Sequence, residues 1–300
     1  MRPFTVEDVV WSAQAACIIE AGVDKPGNVG PSHDFEDTGY RDFILSGVAI
    51  GDAVKEAVEF GAGFEKGRVG LGALIKKAVA DGLKSHGGGN TNLGIAMLLI
   101  PLAASAGLCI RDRVYSLQQL RRGVSTVIEG STPQDTLELY DAIVLSDAEV
   151  GRSPRFDVKD PRSRERVVEK GLNLHRVFRI SSWDSISREL VSGMEVTATT
   201  GYPALKEELE RTGDLRGAVL RCFFEILGRV PDTLIERKNT REAAVRISEE
   251  ARAILEKGLL PGDVARFDRR LRKDGNRFNP GTTADLTASS LMVALLEGLL

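Results

Sequence analysis

The sequence predicts an all-α fold, in which about ten or more helices pack around one buried central helix. Three observations predict it. Apolar residues recur at three- and four-residue spacing along most of the chain, whereas the alternation typical of strands is scarce. The segment from Leu93 to Ile110 contains no charged residue. No Pro/Gly/Ser-rich linker interrupts the chain, so residues 1–300 are expected to form a single domain.

The predicted helices follow this periodicity in order. Thr5 is placed to cap the first one, whose apolar face begins at Val6 and ends near Ala21. Further helices are predicted over residues 40–61, 70–84, 92–109, 116–129, 133–149, 163–178, 182–192, 203–211, 214–228, 240–257, 262–273 and 282–299. Four irregular segments remain between them, at residues 23–39, 85–91, 151–162 and 274–281.

The uncharged segment needs its own interpretation, because about 18 apolar residues can also span a membrane. Its glycines, alanines and Pro101 make it only modestly hydrophobic, and no second segment of this kind exists. We therefore expect a helix buried inside the protein and no membrane association.

Composition narrows the possible partners and the compartment. Forty basic and 43 acidic residues leave a net charge of −3, which gives no bulk attraction to nucleic acid or anionic membranes. Cys17, Cys109 and Cys222 lie in apolar stretches without metal-binding spacing, as reduced thiols do in cytosolic proteins. The N-terminus has no signal-peptide pattern. We predict a cytoplasmic protein that binds no nucleic acid. Its oligomeric state is open, with a homodimer as one alternative.

The first polar motif is Lys25-Pro26-Gly27-Asn28. Pro and Gly occupy the two central positions of a type II turn, so the motif could simply connect two helices. Alternatively, the turn holds Lys25 and Asn28 side by side with free backbone N–H groups, an arrangement suited to phosphate oxygens.

The second motif, Ser32-His33-Asp34-Phe35-Glu36, also allows two interpretations. It could be a solvated surface loop. It could instead supply an acid–base group, His33 or Asp34, and a carboxylate pair, Asp34 and Glu36, that binds Mg²⁺ or activates a hydroxyl group.

The third motif, Gly87 to Asn92, precedes the central helix. It matches neither a P-loop nor a dinucleotide-binding sequence, and Asn90 or Asn92 could be an ordinary helix cap. A helix N-terminus with small residues such as Gly89 also suits an anion.

The fourth motif is Asn279-Pro280-Gly281-Thr282-Thr283, followed two residues later by Asp285 at the start of the last helix. Asp285 is either part of a capping box with Thr282 or a catalytic carboxylate. A basic run from Arg266 to Arg277 leads into this motif and could bind a phosphate-rich ligand. Trp183 and Asp184 are weaker candidates for the same cavity. We expect Lys25, Asp34, Asn90 and Asp285 to line a single cleft.

With these motifs in this order, the chain resembles the triphosphoribosyl-dephospho-CoA synthase family, in its archaeal-type branch. The resemblance rests on Lys-Pro-Gly-x-Val at Lys25, His33-Asp34, Asn90-Thr91 and Asn-Pro-Gly-x-x-Ala-Asp-Leu at Asn279, and it extends from about residue 8 to residue 300. One departure is that Asn92-Leu93 stands where characterised members carry His and a basic residue. The family makes a coenzyme precursor for acyl carrier subunits and is all-α.

The resemblance implies a pentosyltransferase, in which the 2′-hydroxyl of dephospho-CoA displaces adenine from C1′ of ATP. Positive charge on the ribose then needs a carboxylate, Asp285 or Asp34, and the hydroxyl needs a base, His33 or Asp34. Mg²⁺ is expected on Glu20, Asp34 and Glu36. The residues expected to bind or orient the nucleotide are Lys25, Gly27, Asn28, Gly89, Asn90, Asn92, Asn279 and Gly281.

Two alternatives stay open at this point. In the first, water replaces the acceptor hydroxyl, and the protein is a Mg²⁺-dependent hydrolase of an N-ribosyl or phosphate bond. In the second, the protein binds a nucleotide or CoA without catalysis.

Overall fold

The computed structural model describes residues 1–148 and 157–299, and in those ranges the chain is helical, with no β-strand. The predicted all-α class is confirmed. The α-helices are α1 (Val6–Ala21), α2 (Tyr40–Ala49), α3 (Gly51–Ala62), α4 (Leu71–His86), α5 (Leu93–Asp112), α6 (Leu117–Glu129), α7 (Pro133–Leu145), α8 (Pro161–Glu169), α9 (Leu174–Ile180), α10 (Ser185–Val191), α11 (Tyr202–Thr212), α12 (Leu215–Arg229), α13 (Thr233–Lys238), α14 (Arg241–Glu256), α15 (Pro261–Leu271) and α16 (Gly281–Glu297).

The predicted central helix is α5. It is long and apolar enough to cross a membrane, yet 89% of its most apolar stretch is buried inside the protein. Helices α3, α6, α16 and α4 surround it. Helix α3 approaches closely because a Cβ atom at Gly61 would overlap the carbonyl group of Ala104 in α5. On α5, a Cβ atom at Gly107 would overlap the carbonyl oxygen of Val58 in the same way.

The prediction for α1 is confirmed in detail. Thr5 and Asp8 form a capping box, in which the Thr5 hydroxyl accepts the N–H of Asp8 at 3.2 Å and the Asp8 carboxylate accepts the N–H of Thr5 at 2.8 Å. The helix ends at Ala21, where the sequence places its last apolar residue. This leaves Glu20 in the final turn, with its side chain pointing toward the interior.

Two predicted helices are each divided into two. The one over 40–61 is interrupted at Ile50, which separates α2 from α3. Ile50 keeps helical backbone angles, so the apolar periodicity continues through the break. The one over 163–178 is interrupted by Gly171, whose φ of 58° ends α8, and by Asn173, whose side chain caps α9.

The sequence pattern did not predict α13 or the π-helical segment Thr197–Gly201, which leads into α11. Helix α13 has six residues, too few for periodicity to show. The carboxylate of Asp232 caps it, accepting the N–H groups of Leu234 and Ile235, and also accepts the N–H of Thr283 at 2.7 Å. One buried carboxylate therefore ties the starts of α13 and α16 together.

Helix ends, rather than helix faces, define one side of the molecule. The C-terminal end of α1 and the N-terminal ends of α5, α10 and α16 all border one cavity, together with α13. The main apolar core lies behind them, and a smaller one between α12, α13, α14 and α15 supports α13 from outside. N-terminal ends carry partial positive charge, so this side favours anions.

Candidate functional site

A cavity of about 1020 Å³ lies where these helix ends meet. It is at the upper end of the roughly 300–1,000 Å³ found for small-molecule sites. Eight of the predicted site residues line it, drawn from four separate parts of the chain: Glu20, Asn28, Gly89, Asn90, Asn92, Asn279, Gly281 and Asp285. The predicted single cleft therefore contains Asn90 and Asp285, but its walls include neither Lys25 nor Asp34.

The Lys25–Asn28 turn joins this cavity from the outside. The N–H of Asn28 bonds to the carbonyl of Lys25 at 3.0 Å and Gly27 has a φ of 71°, as the turn prediction requires. The amide of Asn28 donates to the side-chain oxygen of Asn279 at 3.0 Å, which links the first and fourth motifs. The N–H of Gly27 is not free for a ligand, because it donates to Asp268 at 2.8 Å.

Lys25 points away from the cavity, and its side chain is fully buried. Its ammonium group donates to the carbonyl oxygens of Glu20 at 2.5 Å and Val23 at 2.9 Å, and lies 3.0 Å from the Glu20 carboxylate. All three of its protons are directed at these oxygens, so phosphate binding by Lys25 does not follow from this geometry. Its observed place is beside the carboxylate of Glu20, a residue that lines the cavity.

Asp285 lies across from Glu20, in the second turn of α16. It does not cap that helix: Pro280 occupies the N-cap position, and Asp232 accepts the N–H of Thr283. The capping-box interpretation of Asp285 is therefore wrong. The half-buried carboxyl group lines the cavity, and no described residue forms a hydrogen bond with it. It lies so close to Gly94 that a Cβ atom at Gly94 would overlap it.

Gly94 places the Asp285 carboxyl group at the N-terminal end of α5. The N–H groups of Gly94 and Ile95 have no acceptor among the described residues, while Leu93 donates to the side chain of Asn90 at 3.1 Å. Asn92 also lines the cavity, and its amide donates to the carbonyl of Ala78 at 3.2 Å. Free N–H groups and the helix dipole therefore face the cavity beside Asp285.

The surroundings of Asp285 and Glu20 raise the pKa of both carboxyl groups. Burial raises the pKa of Asp285 well above its ordinary value, and the neighbouring Glu20 carboxylate raises it further. Asp232 and Asp184 act in the same direction, whereas Arg237 opposes them. Burial also raises the pKa of Glu20, but the Lys25 ammonium favours the ionised form through its charge and hydrogen bonding.

The second motif lies on the surface. His33, Asp34 and Glu36 are exposed and do not line the cavity, and the Asp34 carboxylate accepts the N–H of Tyr40 at 2.6 Å. From the same loop, Phe35, Asp37 and Thr38 line the cavity instead. Of the three predicted Mg²⁺ ligands, Glu20 lines the cavity, whereas Asp34 and Glu36 do not. In the part of the chain that the structure describes, no three His, Cys, Asp or Glu side chains could hold a metal ion, so the predicted Mg²⁺ set is not formed.

Cationic groups reach the cavity from residues that periodicity did not reveal. Arg237 and Lys238 come from α13, and Arg277 comes from the end of the predicted basic run. Arg237 donates to Asp184 at 2.6 Å, and its Nε is buried with no partner among the described residues. Asp184 and Trp183 line the cavity, as the sequence suggested. The sequence signal for α13 is Asp232 before Thr233, because Asp is a common N-cap at the start of a helix.

The other end of the cavity is apolar. Helices α7, α9 and α10 contribute most of its side chains, which include Leu139, Ile143, Val177, Phe178 and Ile186. The cavity therefore combines a charged end, around Asp285 and Arg237, with a mostly apolar end, where polar residues such as Ser146, Asp147 and Ser181 also line the wall.

Comparison with known proteins agrees with the motifs. A family model described as ATP:dephospho-CoA triphosphoribosyl transferase (CitG) matches residues 6–300. The fold is similar to a crystal structure from Archaeoglobus fulgidus, of a protein provisionally named triphosphoribosyl-dephospho-CoA synthase. The two are 26% identical with a TM-score of 0.64, and the match covers 84% of this chain and 100% of the other. No curated protein matches.

Proposed function

The chain belongs to the ATP:dephospho-CoA triphosphoribosyl transferase family, and we propose that its reaction takes place beside Asp285, at the charged end of the cavity. The enzyme transfers the triphosphoribosyl group of ATP to a hydroxyl group of dephospho-CoA and releases adenine. The hydroxyl oxygen forms a bond to C1′ of the ribose as the bond from C1′ to the adenine nitrogen breaks. The observation that carries the proposed location is the Asp285 carboxyl group, which lines the cavity, forms no hydrogen bond with any described residue and has a raised pKa.

Asp285 is the proposed general acid. The Glu20 carboxylate lies 3.0 Å from the ammonium group of Lys25. The cation that acts on the pKa of Asp285 is Arg237, and Arg237 is already paired with Asp184. The negative charge of the pair then belongs on Glu20 and the proton on Asp285. A protonated Asp285 can donate to the leaving adenine. The carboxylate that remains can accept the proton of the attacking hydroxyl, which restores the starting state.

Glu20 has a different proposed role. Breaking the bond to adenine builds positive charge on the ribose, and a fixed carboxylate lowers the energy of that transition state. Lys25 keeps Glu20 ionised and immobile without entering the cavity. Lys25 is therefore a positioning residue that acts through Glu20.

The triphosphate is proposed to lie between the start of α5 and the cations of α13. The free N–H groups of Gly94 and Ile95 supply neutral donors, and Arg237, Lys238 and Arg277 supply positive charge. The unpartnered Nε of Arg237 supports this placement. Asn28 and Asn279, already joined by a hydrogen bond, are suited to orient the sugar hydroxyls.

We also propose that ATP enters as its Mg²⁺ complex. Mg²⁺ is usually held by one or two carboxylates together with substrate phosphates, so the absence of a three-ligand cluster among the described residues fits this arrangement. The three cysteines are buried and free, which fits a reducing cytoplasm.

The direct test is the release of adenine from ATP and Mg²⁺, measured by chromatography with and without dephospho-CoA. We expect adenine to appear with dephospho-CoA, together with an acceptor whose mass has increased by a triphosphoribosyl group. Equal adenine release without dephospho-CoA would instead identify an N-ribosyl hydrolase. Binding of ATP with no adenine under either condition would contradict both catalytic proposals and favour a binding protein.

A further inference from the structure

Tyr140 is a buried polar residue at the apolar end of the cavity, and the proposed reaction does not use it. Tyr140 lies on α7 and is 2% exposed, and its hydroxyl has no hydrogen-bond partner among the described residues. The residue lines the cavity. A buried hydroxyl without a partner destabilises the free protein, and a ligand that supplies the missing hydrogen bond removes that cost.

Tyr140 and Asp285 lie in different electrostatic surroundings. Burial raises the pKa of Tyr140 to about 12, and the charged groups that affect it are Arg164 and Asp157. Neither of them affects Asp285. The hydroxyl of Tyr140 is therefore neutral at physiological pH and can both donate and accept a hydrogen bond.

The walls around Tyr140 indicate which part of a substrate they fit. Leu139, Ile143, Val177 and Ile186 are aliphatic, and none of them can pair with a phosphate or a sugar hydroxyl. The reacting sugar of ATP is proposed to lie at Asp285, and its triphosphate needs the cations at that charged end of the cavity. Dephospho-CoA differs from ADP by a pantetheine arm, a long aliphatic chain with two amide groups and a terminal thiol. A mostly apolar wall with a few hydroxyl groups matches such an arm. The serine hydroxyls on this wall, Ser146, Ser181 and Ser187, already form hydrogen bonds, so the Tyr140 hydroxyl is the one without a partner among the described residues.

We propose that the pantetheine arm of dephospho-CoA lies along this apolar end and that the Tyr140 hydroxyl hydrogen-bonds to one of its amide groups. This inference rests on the proposed function. In it, Tyr140 makes the enzyme prefer dephospho-CoA over an acceptor that lacks the arm. The cavity volume of about 1020 Å³ leaves room for a second ligand beside ATP.

The variant Tyr140→Phe tests the inference, because it removes only the hydroxyl. At saturating ATP, kcat/KM is measured with dephospho-CoA and with ADP, which has the same 2′-hydroxyl and diphosphate but no arm. We expect Tyr140→Phe to lower kcat/KM for dephospho-CoA roughly three- to tenfold and to leave the value for ADP unchanged. Its melting temperature should be no lower than that of the wild type, since the Tyr140 hydroxyl forms no hydrogen bond with any described residue.

A binding measurement keeps the test independent of catalysis. 4′-Phosphopantetheine carries the arm without a base, and its dissociation constant is measured by calorimetry. Tyr140→Phe should weaken this binding by the same factor. Tyr115→Phe is the matched control, because Tyr115 packs edge-on against Phe4, at 4.9 Å between ring centroids, and does not line the cavity.

The outcomes separate the two proposals. If wild-type protein releases no adenine, the proposed function fails, and 4′-phosphopantetheine binding alone decides the inference about Tyr140. If adenine is released but Tyr140→Phe keeps the wild-type preference for dephospho-CoA over ADP, the inference is overturned. Wild-type protein that does not bind 4′-phosphopantetheine would also contradict it.

Discussion

Two polar segments follow α1 closely, and they end in different surroundings. Lys25 begins a buried turn that docks against α15 and bonds to Asn279, whereas His33, Asp34 and Glu36 lie on an exposed loop. In the sequence the second segment looks more like a catalytic one, because it has a histidine and two carboxylates. In the structure, Glu20 and Asp285 line the cavity, and His33, Asp34 and Glu36 do not. The residue types of both segments are ones that can act in catalysis. Burial, however, is what raises a carboxyl pKa, and it does so for Glu20 and Asp285.

The largest effect is expected from Asp285→Asn, which removes the proposed acid from the buried region. Adenine release should fall by about 10²–10⁴-fold, the usual contribution of a general acid. The variant should also be more stable at neutral pH, because an uncharged amide replaces a carboxyl group whose ionised form is disfavoured by burial. Steady-state kinetics and thermal unfolding measure the two effects.

Asp34→Asn is the matched control for that prediction, since it makes the same chemical change on the exposed loop and keeps the oxygen that accepts the N–H of Tyr40. Activity within a factor of about three of wild type is expected, because the Asp34 side chain is exposed and does not line the cavity. A loss as large as that of Asp285→Asn would erase the distinction between the two regions.

Lys25→Met should destabilise the protein by about 3–5 kcal/mol, because it leaves the buried Glu20 carboxylate without its cation. Urea unfolding gives the free energy of unfolding. Lys55→Met is the control, since Lys55 is exposed on α3. The double variant Lys25→Met/Glu20→Gln should recover much of the lost stability but not the activity. An equally mild effect of Lys25→Met and Lys55→Met would show that the buried pair is not essential.

Gly94→Ala tests the contact between the start of α5 and Asp285. The added methyl group would overlap the carboxyl group, so Asp285 must shift, and a displacement of about 1 Å can reduce the rate about 10²-fold. Gly262→Ala on α15 is the control, because nothing lies within 4 Å of the position its Cβ would take. If both variants keep wild-type kcat/KM, the position of Asp285 relative to Gly94 is unimportant.

The pH dependence follows from the raised pKa of Asp285. The acid form is present below that pKa, so kcat/KM should fall as pH rises through it, approaching about tenfold per pH unit. Stability changes in the same direction. A carboxyl group with a raised folded-state pKa binds its proton more tightly in the folded protein, so its contribution is lost as pH rises from 3.8, its ordinary value, through the raised pKa. Asp285→Asn should flatten both profiles in this range, and an unchanged profile would exclude Asp285 as their source.

His33→Ala should have the smallest effect. His33 is exposed and lies outside the cavity wall, so we expect less than a threefold change in kcat/KM and at most about 0.5 kcal/mol in stability. A loss of 10²-fold or more would mean that the loop moves onto the cavity when substrates bind.

Much of the fold could be predicted because local signals and packing agree. The cap at Thr5, the apolar period of α1 and the uncharged α5 all depend on neighbouring residues, and the structure contains them as expected. Helix α13 could not be predicted in this way, since six residues show too little periodicity and Asp232 caps it together with α16. Because α13 was not predicted, its residues Arg237 and Lys238 were not expected at the site.

The site was predicted in part for a related reason. Asn28, Asn90, Asn279 and Asp285 belong to short polar motifs at helix ends, where backbone groups need partners, and these ends converge. The direction of Lys25 could not be read from its motif, because the oxygens of Glu20 and Val23 that satisfy its ammonium group lie in the turn before it. The overlap between Gly94 and Asp285 joins distant parts of the chain, and no local pattern indicates it.

We propose that the reacting sugar and the leaving base lie at Asp285. A crystal structure with dephospho-CoA and a carbocyclic ATP analogue can show whether they do, because the analogue lacks the ring oxygen that helps the base to leave. We predict a ring nitrogen of the base within about 2.6–3.2 Å of the Asp285 carboxyl group. A base bound beside His33 and Asp34, out of hydrogen-bond reach of Asp285, would contradict the account.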